Sequence, residues 1–414
     1  MIRETGTTGF RAGAAAIAGE LAELRHAIHA EPEIGLQLPL TQARVLAALA
    51  GLPLEVSTGR SLSSVTAVLR GGAARPDRLA GGAAPVVLLR GDMDALPVTE
   101  ATGLPFASRS AGVMHACGHD LHTAMLAGAA RLLSARRAEL AGDVIFMFQP
   151  GEEGYAGAAA MIAEGVLDAA GPRRPAAAYA LHVSSTQYPG GVFATRPGPM
   201  LAAADILRVT VHGRGGHASQ PHLAADPIAA ACEMVTALQT MVTRRFDVFD
   251  PVVVTISSFH AGTTDNVIPD EATFLGTARS YSAAARTRLR DAFYKIIENV
   301  ADAHGMNATA EYADEYPVTV NDAAEAEFAR AAVAEVFGAA RSVAKPFPMT
   351  GAEDFSYVLQ QVPGAFLSVG AVPPDRDPAT APSNHSAAAI FDDAVLADGA
   401  ACYAELAWRR LQTA

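Results

Sequence analysis

The segment Met114-His115-Ala116-Cys117-Gly118-His119-Asp120-Leu121-His122 gathers three histidines, a cysteine and an aspartate just ahead of a helical stretch. A thiolate at Cys117 and an imidazole at His119 are donors that zinc and related cations accept, and in an extended segment the two side chains point the same way. A buried free cysteine beside helix-capping polar groups is the plainer reading of the same residues. Further on, Phe148-Gln149-Pro150-Gly151-Glu152-Glu153-Gly154 ends a strand in a Pro-Gly turn that presents adjacent carboxylates. Neighbours outside a helix tend to face apart, so one glutamate can ligate a cation while the other stays unligated beside water as a base. Solvated surface charge is the alternative there.

His182 follows the apolar run Ala177 to Leu181, and His385 sits in Pro382-Ser383-Asn384-His385-Ser386 near the chain end. Alone, each reads as a hydrogen-bonded structural histidine, yet strand ends are where α/β sheets assemble their sites. Asp92 and Asp94, in Arg90-Gly91-Asp92-Met93-Asp94, also follow a strand and suit a ligand, a carboxylate orienting a ligating imidazole, or a structural turn. Gly213-Arg214-Gly215-Gly216-His217 closes another strand with glycines that admit close backbone approach, without the spacing or lysine of a phosphate loop. Asn266 and Arg279 add an amide and a guanidinium, groups fitted to a carboxylate or a developing oxyanion. No Gly-x-Ser-x-Gly elbow indicates a serine hydrolase.

Elements able to position these residues follow from periodicity. Apolar Ile17, Leu21, Leu24 and Ile28, with Glu20, Glu23 and Arg25 between them, predict an amphipathic helix over Ala14 to Ala30, ended by Pro32. Strand candidates Pro85 to Leu89, Asp143 to Phe148 and Ala177 to Val183 alternate with helices over Thr123 to Leu133 and Ala156 to Glu164, the rhythm of an α/β sheet covered on both faces. From residue 199 the order changes to β-α-β-β-α-β: Ile206 to Val211, Asp226 to Arg244, Val252 to Phe259, Ala272 to Arg279, Ala284 to His304 and Ala308 to Tyr316, a ferredoxin-like unit. A helix over Ala324 to Phe337, a strand over Ala365 to Val369 and a helix over Asp393 to Leu411 then complete the first domain. The expected division is a catalytic domain over 1–198 and 317–414, interrupted by a lid over 199–316. Gly71 to Ala84, rich in Gly and Ala, is expected to be a surface loop.

Composition narrows the function classes. The 414 residues are 50% hydrophobic and 18% charged, enough for two or three packed domains and unlike a disordered chain. A net charge of -12 opposes attraction to phosphate backbones or anionic lipid, so neither nucleic acid nor a membrane surface is an expected partner. Cys117, Cys232 and Cys402 are too few for a disulfide framework. With no secretory leader pattern and no long uncharged apolar stretch, a cytoplasmic protein is expected.

Taken together, Arg90 to Pro97, Met114 to His122, Gln149 to Gly154 and Gly215 to Pro221 resemble the signatures of the metal-dependent amidohydrolases that include hippurate hydrolases, N-acyl-amino-acid amidohydrolases and auxin-conjugate hydrolases. The resemblance runs from Leu24-Arg25-His26 and His29-Ala30-Glu31-Pro32-Glu33 to Gly351-Ala352-Glu353-Asp354-Phe355 and His385. Two positions depart from it, Ala352 where the family often has Ser and Ala387 where it often has Pro, and both bear on local loop geometry rather than on a ligand.

The resemblance implies a di-zinc exopeptidase-like catalytic domain with a lid that mediates homodimerisation. It also implies a pair of divalent metals (manganese, zinc, cobalt or nickel) held by Cys117, His119, Glu153, His182 and His385, with Glu152 as general base. Asp94 would stand behind the ligands. His217, Asn266 and Arg279 would contact substrate and transition state, His217 from the partner subunit. The expected reaction is hydrolysis of the amide of an N-acyl amino acid, with a dipeptidase or carboxypeptidase, or a non-catalytic metal-dependent binding protein, as rivals.

Overall fold

The computed structural model describes residues 9–73 and 84–413, so most of the expected loop at 71–84 lies outside the described residues. The described chain forms two compact units. One holds the residues up to Met200, Val320–Phe347 and the chain from Tyr357 onwards; the other holds Leu201–Thr319 and Pro348–Ser356. The segment 348–356, expected within the second catalytic part, thus groups with the inserted unit.

The larger unit is built on an eight-stranded mixed sheet, in the order Leu54–Thr58, Val65–Leu69, Asp143–Gln149, Val86–Asp92, Ala177–Pro189, Gly364–Val372, Phe193–Thr195, Ser342–Ala344. Strands 143–149, 86–92, 177–189 and 364–372 run parallel to their neighbours within this central group. The central strands read as unbroken apolar runs because both faces are covered. Leu89, Phe146 and Tyr179 belong to the main core, whereas Leu88, Ile145 and Ala178, pointing the other way, are fully buried too. Helices His119–Ala135 and Val395–Thr413 pack together and against the 86–92 strand. Asp92 and Gln149 lie opposite one another in register at the carboxyl ends of their strands, the edge where ligands collect in such sheets.

The N-terminal helix is divided at Ile17 into Phe10–Ala16 and Ala18–Ala30. Arg25, expected among its outward polar residues, is buried with Leu21, Ile28 and His29. Its guanidinium is taken up by Asp120, Asp393 and the Phe391 carbonyl, which is why a charge sits on the inner face. A helix at Pro39–Leu49, which buries Thr41, Val45 and Leu49, and the edge strand Leu54–Thr58 are additional to the expected elements; the strand is exposed at four of its five residues.

The inserted unit has the expected β-α-β-β-α-β order. Strands Val252–Ala261, Glu271–Ser280, Ala203–His212 and Asn307–Tyr316 lie side by side in that order, all antiparallel. Two helices pack on this sheet, Pro227–Arg245 started by the Asp226 carboxylate and a Pro at its first position, and Ala283–Ala303 started by the Ser282 hydroxyl. Ala230, Met234, Leu238 and Met241 on the first, with Leu289, Phe293 and Ile297 on the second, supply its core. No helix among the described residues is long and apolar enough to cross a membrane.

Candidate metal centre

Cys117 and His119 converge, but not as an extended segment. Cys117 lies in a turn, Gly118 adopts a left-handed φ of 83°, and His119 is the first residue of the helix that follows. Only glycine fits between them, since a Cβ there would stand 2.4 Å from Val183 Cγ2. The turn after the 143–149 strand likewise sends both carboxylates to one side. Ligand atoms of Glu152, Glu153 and His119 all lie within 4.8 Å of one another, so the expectation that the two glutamates face apart is corrected. The turn is set by Asp94, whose Oδ1 accepts the Glu152 N–H at 2.9 Å and Oδ2 the Glu153 N–H at 3.0 Å.

The remaining donors come from distant segments. His182 Nε2 lies 3.4 Å and His385 Nε2 3.3 Å from Cys117 Sγ, and His385 Nε2 lies 3.2 Å from Glu153 Oε1. Cys117, His119 and His182 form one group with donor atoms within 4.8 Å, and Cys117, Glu153 and His385 form another. The two groups share the thiol. His385 is reached only through a left-handed φ of 69°, rare for a residue with a side chain.

One candidate donor is held in a tautomer suited to ligation. His182 Nδ1 donates to the Val183 carbonyl at 2.8 Å, leaving Nε2 turned to the cluster with a lone pair. His122 donates from Nδ1 to Asp92 at 2.5 Å and accepts the Val183 N–H at Nε2, so it supports the site rather than ligating. Asp92 is itself gripped by Arg90 at 2.5 Å. Neither ring nitrogen of the fully buried His119 makes a hydrogen bond; the nearest acidic oxygens, on Asp94 and Asp92, stand 3.5 and 3.6 Å away. A buried imidazole without partners, facing a thiol, other imidazoles and carboxylates, is the arrangement that a divalent cation completes.

Charge in the cluster points the same way. Burial opposes a charged His119, but Asp92 and Cys117 hold its pKa well above the usual value. Hydrogen bonds that the His385 ring donates to Cys117 and Glu153 raise its pKa to about 10. Burial and His122 push His182 well down. His119 and His385 are thus held towards the protonated form and His182 towards the neutral one; ligating imidazoles must be neutral, so a cation taken up here would displace protons from the first two.

In the inserted unit, His217 and Asn266 are neighbours: strand Gly216–His217 pairs with Val267–Ile268, and the Ala218 N–H donates to the Asn266 carbonyl at 3.1 Å. Both are exposed. Arg279 is not with them. It pairs with Ala204 at one end of its strand, whereas Glu271 pairs with His212 at the other, the end from which the chain runs on to His217. Arg279 lies eight residue steps along the strand from Glu271, roughly 27 Å.

Two sets of positioning groups were not assigned from sequence. Asn384, inside the segment that singled out His385, bonds to the Cys117 and Val183 carbonyls. Arg25 and His29 both bond to Asp120, the residue after His119. Adjacency to a candidate ligand was the available signal in each case.

Comparison with known proteins places the chain in a family. Residues 88–409 match the model of peptidase family M20/M25/M40. The chain is 36% identical over 389 residues to thermostable carboxypeptidase 2 of Saccharolobus solfataricus, covering 93% of this chain and 94% of that one. It is 36% identical over 392 residues to the IAA-amino acid hydrolase ILR1-like 4 of Arabidopsis thaliana, covering 94% and 85%. Among solved structures, the Bacillus subtilis YXEP protein, described as a dinuclear metal binding peptidase from the M20 family, superposes with a TM-score of 0.80 at 31% identity, covering 97% of this chain and 100% of that one. The chain belongs to peptidase family M20/M25/M40. Within it, the chain is a metal-dependent amidohydrolase.

Proposed function

We propose that the protein hydrolyses the amide bond of N-acyl amino acids, with two divalent cations held by Cys117, His119, Glu153, His182 and His385. The observation that carries this reading is the position of Glu152, 6% exposed, beside a His119 ring whose nitrogens have no hydrogen-bond partner. Divalent cations in such a site supply Lewis acidity, which makes water a stronger acid near neutral pH and draws electrons from an amide carbonyl. Glu152 takes a proton from water as its oxygen adds to the carbonyl carbon, then returns that proton to the departing nitrogen. His217 donates to the carbonyl oxygen as it becomes anionic, and Asn266 beside it helps to hold the substrate. Arg279 receives the carboxylate of the amino-acid part.

The resemblance puts His217 in the site of the partner chain, so the proposed assembly is a homodimer. The carboxypeptidase among the relatives keeps a second reading open, cleavage of a peptide rather than an acyl amide. A screen of acetyl, benzoyl and indoleacetyl amino acids and of dipeptides, with manganese, cobalt, nickel or zinc added, tests both. Turnover of the acyl amides above the peptides is the expected result; preference for peptides would replace the first reading with the second.

A further inference from the structure

Val183 brings no side-chain chemistry to the site, yet its peptide group is held at both ends. Its N–H donates to His122 Nε2 at 2.7 Å, and its carbonyl accepts from His182 Nδ1 at 2.8 Å and from Asn384 Nδ2 at 3.0 Å. The same amide nitrogen donates to the Cys117 carbonyl at 3.2 Å. Asn384 Oδ1 accepts from the Ser185 N–H at 2.9 Å, and the single proton of the Ser185 hydroxyl is shared between Asn384 Oδ1 at 3.0 Å and the Pro382 carbonyl at 2.8 Å. The next residue, His385, has the left-handed backbone and donates its N–H to the Ala116 carbonyl at 2.8 Å.

One side chain therefore ties together the three segments that carry Cys117, His182 and His385. We propose that Asn384 is a positioning residue for the metal centre: its carboxamide fixes the Val183 carbonyl that orients His182, anchors the Cys117 turn, and holds the loop that keeps His385 in its strained conformation. The task needs two donors and an acceptor in one rigid plane, which among side chains of this length only a carboxamide offers. Without it, the Cys117 carbonyl loses this donor and the Val183 carbonyl keeps only His182, and the backbone carrying two donors is free to relax. The inference rests on the proposed metal site, but it is distinct from it, since Asn384 is not a ligand.

The test uses the full-length protein loaded with Co(II), whose bond to a thiolate gives a charge-transfer band in the near ultraviolet. Wild type should show that band. Asn384→Ala should bind cobalt about ten- to hundredfold more weakly in chelator competition, with the band diminished, and lose kcat more than KM. Ser185→Ala, which loosens both Asn384 and Pro382, should shift in the same direction by less, and it decides the matter if Asn384→Ala does not fold. A merely structural Asn384 would lower Tm while leaving the band and the cobalt affinity of the folded variants within about twofold of wild type, and that result overturns the inference. Wild type binding cobalt without a thiolate band would instead remove Cys117 from the centre, and the role of Asn384 with it.

Discussion

Asp94 accepts the backbone N–H of Glu152 at 2.9 Å across 58 residues of chain, joining the loop after one central strand to the turn after its neighbour. The aspartate's other oxygen holds Glu153, so a single carboxylate aims both glutamates at His119. Asp94→Asn keeps the shape but presents an NH2 to one of the two N–H groups. Turnover should fall about ten- to hundredfold with little change in Tm. Steady-state kinetics beside a thermal melt checks this, and unchanged turnover would mean that the turn holds itself.

Gly118 joins two candidate ligands in a conformation that other residues enter at a cost, and its missing Cβ makes room for Val183. Gly118→Ala should destabilise the protein by roughly 2 kcal/mol or more and reduce bound metal. Chemical denaturation and elemental analysis read the two effects separately. A variant with wild-type stability and metal content would show that the loop has slack.

His29, which is not itself a candidate ligand, gives a pH dependence of stability. Burial disfavours its charge, but Asp120 and Glu100 outweigh this and raise its pKa from 6.5 to about 9. A pKa raised on folding stabilises fully below the unfolded value, so this contribution is present below about pH 6.5 and is lost as pH rises through about 9. At 1.36 kcal/mol per unit, the total is about 3 kcal/mol. Denaturation of wild type and His29→Gln across pH 6 to 9.5 should show the stability gap narrowing as pH rises. A gap independent of pH would contradict the charged assignment.

A homodimer in which His217 serves the partner's site predicts complementation between inactive chains. Mixing His217→Ala with Glu152→Gln under conditions that exchange subunits should restore part of the activity, because some sites then combine an intact Glu152 with an intact His217 from the other chain. No recovery despite exchange, shown by tagged subunits, would place His217 in the site of its own chain.

Much of this was legible in the sequence because the signals are local. The β-α-β-β-α-β order follows from alternating apolar runs, and the candidate donors stand out because Cys, His and Glu cluster at strand ends. What was not legible depends on partners far along the chain. Arg25 reads as an outward charge until Asp120 and Asp393 appear beside it, and the short edge strand Leu54–Thr58, exposed at four of its five residues, is fixed by its pairing with Val65–Leu69. The segment 348–356 groups with the inserted unit through contacts such as the Ala202 N–H to the Met349 and Gly351 carbonyls, which spacing does not encode. At Asn384, a carboxamide beside a histidine reads as turn chemistry in the sequence, because its partners Cys117, Val183 and Ser185 lie far along the chain.

Glu152→Gln provides the most direct measurement, with metal content and turnover read on the same sample. The variant keeps the shape of the side chain and removes only its basicity. It should retain the metal content of wild type while turnover on the best acyl amino acid falls about a hundredfold to ten-thousandfold. Near-normal turnover in a fully metallated variant would contradict the assignment of Glu152 as the base, and with it the central claim about how this site works.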